Sequence, residues 1–128
     1  MYSYQRLEAW KRAHKALMLT LKSLDDAYHP RSKSLFDQIK RAAISVEANI
    51  VEGYALKTVP LFQRHLRIAI GSAAEAETLA RAASEARYLE PALGNELCLA
   101  FGAALAALIG LFRSTRTPAA PLRVSPRS

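Results

Sequence analysis

The sequence predicts an all-α fold, an antiparallel up-down-up-down four-helix bundle, from three observations. Apolar residues recur at steps of three and four through four segments of the chain. Short stretches that contain proline or glycine separate these segments, and connections this short join helices of opposite direction. The chain has 128 residues, of which 51% are hydrophobic and 23% are charged, which suits one globular domain with one core.

The first predicted helix spans about residues 4–27 and is apolar along one face. That face consists of Leu7, Trp10, His14, Leu17, Leu21 and Leu24. Lysines occupy the opposite side. The helix is expected to end at 29–32, because Pro30 lacks a backbone donor and restricts its own backbone angle.

The second helix is predicted from about Ser34 to Gly53. Ser34 and Asp37 resemble a capping box in which Asp takes the place of the usual Glu. Gly53 suits a left-handed cap at the C-terminal end, because glycine has no Cβ to oppose that conformation. Both ends of the helix are therefore predicted from local chemistry.

The third helix is predicted from Thr58 to about Arg87. Thr58 is a plausible N-cap, and Pro60 falls in the first turn, where its missing N–H costs nothing.

The fourth helix is predicted from about Pro91 to Phe112, and residues 97–112 contain no charge. This stretch is short for a membrane span, which needs about 20 residues, so no membrane is expected as a partner. A helix that is apolar on every side must be buried on every side, and one bundle cannot do that. We therefore expect this helix in a subunit interface. The chain divides into a bundle, 1–112, and a flexible basic tail rich in Pro, Ser and Arg, 113–128.

The second helix carries a polar stripe beside its apolar face. The apolar face consists of Ile39, Ala42, Ala43, Val46 and Ile50, and the polar stripe of Arg41, Ser45, Asn49 and Glu52. We expect Ser72 and Glu75 of the third helix to hydrogen-bond to this stripe, with Gly71 allowing close approach of another backbone. A structural network that fixes helix register or subunit pairing is the favoured reading, and a binding site is the alternative.

Motifs for metal binding and covalent catalysis are missing from the sequence. His14, His29 and His65 lie far apart, without metal-ligand spacing, and His14 is read as a core or interface residue. No nucleophile elbow or glycine-rich phosphate loop can be found. We therefore expect no catalytic residue, no metal and no cofactor. A single cysteine, Cys98, fits a cytoplasmic location, and the N-terminus does not resemble a signal peptide.

Charge is the feature that points to a partner. The chain has 18 basic and 11 acidic residues, a net charge of +7, and four arginines of the tail supply +4 of it. Such a chain is expected to meet RNA, DNA or another polyanion, although a solvated basic surface is the plainer interpretation. The candidate phosphate contacts lie on the first helix and in the following loop: Lys11, Arg12, Lys15, Lys22, Arg31 and Lys33. No helix-turn-helix or RNA-binding aromatic pair is evident.

Two blocks of the sequence resemble a known family. The first block is Gln38, Ile39, Lys40, Arg41, Ala42, Ser45, Asn49, Ile50, Glu52 and Gly53, and the second is Phe62, Leu66, Ile68, Ala69, Gly71, Ser72, Glu75, Glu77 and Leu79. With Leu7, Trp10 and Ala13, these blocks resemble the bacterial four helix bundle proteins encoded by intervening sequences of 23S rRNA genes. The resemblance covers roughly residues 4–112.

The resemblance implies a ring-shaped homopentamer with a central channel. The accessory variability protein of diversity-generating retroelements is a relative, and it acts with a reverse transcriptase and nucleic acid. We therefore expect a non-enzymatic oligomeric bundle that binds RNA or DNA, as an adaptor for a nucleic-acid enzyme. The alternative is a protein–protein scaffold with no nucleic-acid role. A third hypothesis is a small-molecule site between subunits, with Arg41, Glu52 and Glu75 as its titratable groups.

Overall fold

The computed structural model describes residues 3–116, and all regular structure in that part of the chain is helical. The four α-helices are α1 (Glu8–Asp26), α2 (Lys33–Leu56), α3 (Val59–Glu85) and α4 (Pro91–Arg116). Short 3-10 turns precede α1 and α2. The prediction of an all-α fold with four helices is confirmed.

The helices form a closed antiparallel arrangement. Each helix packs against the next one in the chain, and α4 packs against α1. Asp25, near the end of α1, pairs with Lys40, early in α2, and Gln63, early in α3, bonds to Thr115 at the end of α4. These contacts are those of an up-down-up-down bundle.

The core combines the predicted face of α2 with a row of alanines on α3. Ile39, Val46 and Ile50 of α2 are buried, as their spacing predicts. The buried alanines of α3 are Ala69, Ala73, Ala76, Ala80 and Ala83. Small side chains at the contact shorten the distance between helix axes, so α3 lies close to both of its neighbours.

The apolar face predicted for α1 is only partly right, because the buried side is rotated about the helix axis and Leu24 is the one predicted residue that is fully buried. The buried residues of α1 are Ala9, Ala13, Ala16, Thr20, Ser23 and Leu24. Trp10, His14, Leu17 and Leu21 are only partly buried. The pattern of large apolar residues marks the flanks that cover the seams between helices, whereas the centre of the contact is filled by alanine. His14 is therefore not a core residue.

The start predicted for α2 is correct to within one residue, but its predicted capping box and its predicted C-terminal end are wrong. The helix begins at Lys33, and the Ser32 hydroxyl donates to the His29 carbonyl rather than capping the helix. Asp37 accepts a hydrogen bond from Lys33 Nζ at 2.7 Å instead of closing a capping box. At the other end α2 continues past Gly53 to Leu56, and Lys57 takes the left-handed conformation with φ 63°.

Gly53 has a packing role instead. A Cβ at this position would lie 2.7 Å from His65 Cβ on α3, which is closer than two such atoms can approach. The glycine lets α2 and α3 come together where both helices carry polar groups.

The start of α3 agrees with the sequence prediction, and the end of α4 does not. Thr58 Oγ1 accepts a hydrogen bond from the Leu61 N–H, and Pro60 lies in the first turn. Helix α4 continues past Phe112 to Arg116, where Thr115 bonds to α3. The rest of the expected tail, 117–128, lies outside the described residues.

Candidate nucleic-acid interface and polar seam

A polar seam runs between α2 and α3, formed by Gln38, Arg41, Ser45, Asn49 and Glu52 of α2 and by His65, Ser72 and Glu75 of α3. At its centre the Ser72 hydroxyl donates to Ser45 Oγ at 2.8 Å. Asn49 Nδ2 donates to the Ser45 carbonyl at 2.8 Å, and Asn49 Oδ1 lies 2.9 Å from His65 Nδ1. The structure therefore brings together three residues that the sequence predicted, and it adds His65.

The outer parts of the seam differ from the prediction. Glu75 accepts a hydrogen bond from Gln38 at 2.8 Å, and Arg41 donates to the same Gln38 side chain at 2.7 Å. Arg41 and Glu75 are thus linked through Gln38 rather than directly. Glu52 is largely exposed and lies 3.8 Å from His65 Nδ1, at the edge of ion-pair distance.

Sequence reasoning missed Gln38 and His65 as members of the seam. Gln38 stands in the family block that carries Arg41, so its position was a usable signal. His65 gave no signal by spacing along α3. His65 lies opposite Asn49 only because of the antiparallel register of α2 and α3. Asn49 is one helical turn before Gly53 on α2.

The seam is suited to holding two helices in register. Each neutral hydrogen bond contributes only about 0.5–1.5 kcal/mol, but all of these groups need their partners in one relative position of the helices.

Gly71 has no role in this approach. Apart from its two chain neighbours and the adjacent backbone of α3, no atom of the described residues lies within 4 Å of where its Cβ would be, so the close-backbone explanation is wrong for the single chain.

The predicted phosphate contacts fall into two groups. Lys11, Lys15 and Lys22 are exposed on the outer side of α1, and no ion pair within residues 3–116 involves any of them. We call these three residues the lysine face. They lie on one side of the helix, because their positions along α1 are separated by four and seven residues.

The other three predicted contacts are engaged within the chain. Arg12 donates to Glu8 at 3.0 Å and to the Ala103 carbonyl at 3.1 Å, so it ties α1 to α4. The Arg31 guanidinium lies 5.4 Å from the centre of the Tyr88 ring. The hydrogen bond between Lys33 and Asp37 raises the pKa of Lys33 and lowers that of Asp37.

A second polar cluster joins α1 to α2. Trp10 Nε1 donates to Glu47 Oε2 at 3.0 Å, and His14 Nδ1 lies 3.0 Å from Glu47 Oε1. The Trp10 and His14 rings are stacked, and Tyr4 meets Trp10 edge-on. We call Tyr4, Trp10 and His14 the aromatic column. The sequence reasoning missed this arrangement because Glu47 lies on a different helix.

Helix α4 presents an apolar outer face. Leu99 is 65% exposed, and small residues follow it along the same side of the helix. Among the described helices, α4 is the one that is long and apolar enough to cross a membrane, and 28% of its most apolar window is buried. The core helix of a soluble protein can have the same length and composition.

The described residues contain no group of three His, Cys, Asp or Glu side chains that could hold a metal ion. Cys98 is a buried free thiol on α4, and burial raises its pKa.

The fold and the polar seam define a small helical-bundle protein. The chain belongs to the family of 23S rRNA-intervening sequence proteins, whose family model matches residues 5–108. That match spans most of the described chain and confirms the resemblance seen in the two sequence blocks. No curated protein matches the chain in sequence.

Proposed function

We propose that this protein is a non-enzymatic homo-oligomeric bundle that binds RNA or DNA through the lysine face of α1. One observation carries the proposal: Lys11, Lys15 and Lys22 are exposed and form no ion pair within residues 3–116, whereas Lys33 and Lys40 pair with Asp37 and Asp25. Free lysines on one side of a helix attract phosphates and release their counterions.

The proposal includes assembly of several copies through the outer face of α4. Leu99, Ala106 and Gly110 are exposed on the uncharged stretch of α4, and exposed apolar surface of this kind is unfavourable in water, so a second copy would cover it. The family resemblance leads us to propose a ring of five. Several copies of the lysine face in one particle would then act together on one nucleic acid. An adaptor role beside a nucleic-acid enzyme, in the cytoplasm, fits this proposal.

The test of binding is a salt titration with labelled RNA, single-stranded DNA and duplex DNA. The variant Lys11→Gln/Lys15→Gln/Lys22→Gln removes the lysine face. Its control, Lys33→Gln/Lys40→Gln/Lys57→Gln, removes the same formal charge elsewhere. If all three lysines contact phosphates, the logarithmic salt slope should become shallower by about 2–3 units per subunit for the first variant, since each contact contributes about 0.7–0.9. Equal effects of the two variants would mean that only the net charge matters.

A truncated chain that ends at Arg116 separates the bundle from the tail, because it keeps the contact between Thr115 and Gln63. Binding that persists in this chain places the site on the bundle. Failure of the intact oligomer to bind any of the three nucleic acids at low salt would reject the proposal and favour the protein–protein scaffold.

Assembly is tested by measuring the mass of the particle in solution, without detergent. Leu99→Glu should reduce the mass of the particle, because it places a charge on the outer face of α4. Ser34→Glu adds the same charge at an exposed position at the start of α2 and should leave the mass unchanged. A monomeric wild-type protein would reject this part of the proposal.

A further inference from the structure

The aromatic column is a stack of three rings beside the lysine face. The Trp10 and His14 centroids lie 5.0 Å apart with ring planes 11° from parallel. The Tyr4 ring meets Trp10 at 5.7 Å and 68°. Both geometries are those that aromatic pairs prefer, and Trp10 occupies the middle of the column, with His14 at one end.

One carboxylate holds the column in place. Glu47 is 18% exposed, and its two oxygens meet Trp10 Nε1 and His14 Nδ1 at 3.0 Å each. Because the two rings share this anchor on α2, their orientations are fixed before any partner arrives. A site that is ordered in advance loses less entropy on binding.

The His14 end of the column is open to solvent and lies beside lysines. The His14 side chain is 46% exposed. Lys11 precedes it by three residues, so the two side chains are neighbours on the surface of α1. Lys15 follows it directly, on the outer side of the same helix. A flat ring surface therefore adjoins two of the unpaired positive charges.

We propose that this surface binds single-stranded nucleic acid, with one base stacked on His14 and the flanking phosphates on Lys11 and Lys15. The inference rests on the proposed nucleic-acid function and names the form of nucleic acid that the same surface takes. Stacking platforms beside basic side chains are the common means of holding single strands without sequence preference. In a duplex each base is paired with the opposite strand and stacked on its neighbours, so no base is available to stack on His14.

The chain supplies its own reporter for this contact. Trp10 is the one tryptophan of the sequence, so the tryptophan fluorescence of the protein comes from the middle of the column. A base that stacks on His14 changes the surroundings of the Trp10 ring through the imidazole. Oligothymidylate and oligouridylate should alter this fluorescence. An abasic strand of the same length, which has the phosphates but no bases, should bind without altering it.

The test compares two substitutions at His14 in the full-length chain. His14→Ala removes the stacking surface, and His14→Phe keeps a ring while losing the hydrogen bond to Glu47. Stacking contributes about 1–3 kcal/mol per base, so His14→Ala should weaken binding of oligothymidylate by about fivefold or more and leave the abasic strand unaffected. His14→Phe should retain most of the affinity. Circular dichroism and particle mass show that each variant is folded and assembled.

The results separate this inference from the proposed function. Salt-dependent binding that is equal for oligothymidylate, abasic strand and duplex, and unchanged by His14→Ala, would overturn the stacking site while the lysine face stands. Loss of affinity for all three probes in His14→Ala would also overturn it, because a stacking contact cannot act on a strand without bases. Failure of every probe to bind wild-type protein at low salt would overturn both proposals.

Discussion

Gly53→Ala is the substitution whose effect follows most directly from the structure. The new methyl group would lie 2.7 Å from His65 Cβ and 3.1 Å from Phe62 Cδ1, so α2 and α3 must separate locally. Overpacking of this kind costs about 1–3 kcal/mol. The separation also strains the hydrogen bond between His65 and Asn49, which contributes about 0.5–1.5 kcal/mol.

Helix propensity acts in the opposite direction. Replacing glycine by alanine inside a helix gains about 1 kcal/mol when nothing obstructs the methyl group. The net expectation for Gly53→Ala is therefore a loss of about 0.5–3.5 kcal/mol in the free energy of unfolding. Gly71→Ala is the matched control, because its methyl group meets no atom of the described chain within 4 Å. That variant should gain about 1 kcal/mol.

The assay is urea unfolding followed by circular dichroism. All variants are measured at one protein concentration, because the proposed assembly would make stability depend on concentration. The two substitutions are chemically identical, so their difference isolates the contact with His65. If the free energy of unfolding of Gly53→Ala equals that of Gly71→Ala, the packing argument is refuted. A destabilised Gly71→Ala with reduced particle mass would instead show that another copy covers the outer side of α3.

Four further outcomes are expected. Lys57→Gly should raise the free energy of unfolding by about 1 kcal/mol in urea unfolding, because a left-handed backbone costs a non-glycine residue about 1–2 kcal/mol. Glu47→Ala should lower it by about 1–2 kcal/mol, since Trp10 and His14 lose their shared acceptor, and should shift the Trp10 emission. Cys98 should react with iodoacetamide much more slowly in folded protein than in urea, because it is buried and burial raises the pKa of its thiol. Equal rates would contradict its burial.

The fourth outcome concerns acid. The folded-state pKa of Asp37 is lowered by its hydrogen bond from Lys33, so the pair contributes stability above the ordinary pKa of Asp. That contribution is lost as the pH falls through the lowered folded-state value. Asp37→Asn should therefore make the stability depend less on pH in the most acidic range. Because the same hydrogen bond raises the pKa of Lys33, it should also reduce the loss of stability as the pH rises through that raised folded-state value. If Asp37→Asn has the same acid dependence as wild type, the Lys33–Asp37 pair does not contribute to it.

The fold was predictable because helical periodicity is local. The buried face of α2, the Thr58 cap and the breaks between helices depend on residues within a few positions of each other. The core face of α1 was not predictable in the same way. Its alanines carry a weaker hydrophobic signal than Trp10 and Leu17, and only the packing of a whole bundle shows that the smaller residues lie at the centre.

The candidate site was predictable where its members share a helix or stand in one of the two family blocks. Ser45 and Asn49 were found from their spacing on α2, and the family block added Ser72. His65 and Glu47 were missed because their partners lie on neighbouring helices, where sequence distance gives no guide. The Ser34–Asp37 capping prediction was wrong because the Ser32 hydroxyl and Lys33 offered better local hydrogen bonds.

The lysine face and the outer face of α4 meet in one groove, which would link the proposed assembly to the proposed nucleic-acid binding. This groove has a volume of about 590 Å³, and Lys11, Lys15 and Leu99 lie along it. If a second copy covers Leu99, the lysines of neighbouring copies stand along the edge of the same interface. A long strand would then contact several copies at once, whereas a short strand would contact one.

The variant Leu99→Glu tests this link. It should bind a long oligothymidylate at least tenfold more weakly than the assembled protein, because the gain from several simultaneous contacts is lost. A strand short enough for one subunit should bind both proteins with similar affinity and should alter Trp10 fluorescence in both. Equal weakening for both lengths would mean that the new carboxylate repels the strand directly, and the effect could no longer be attributed to assembly.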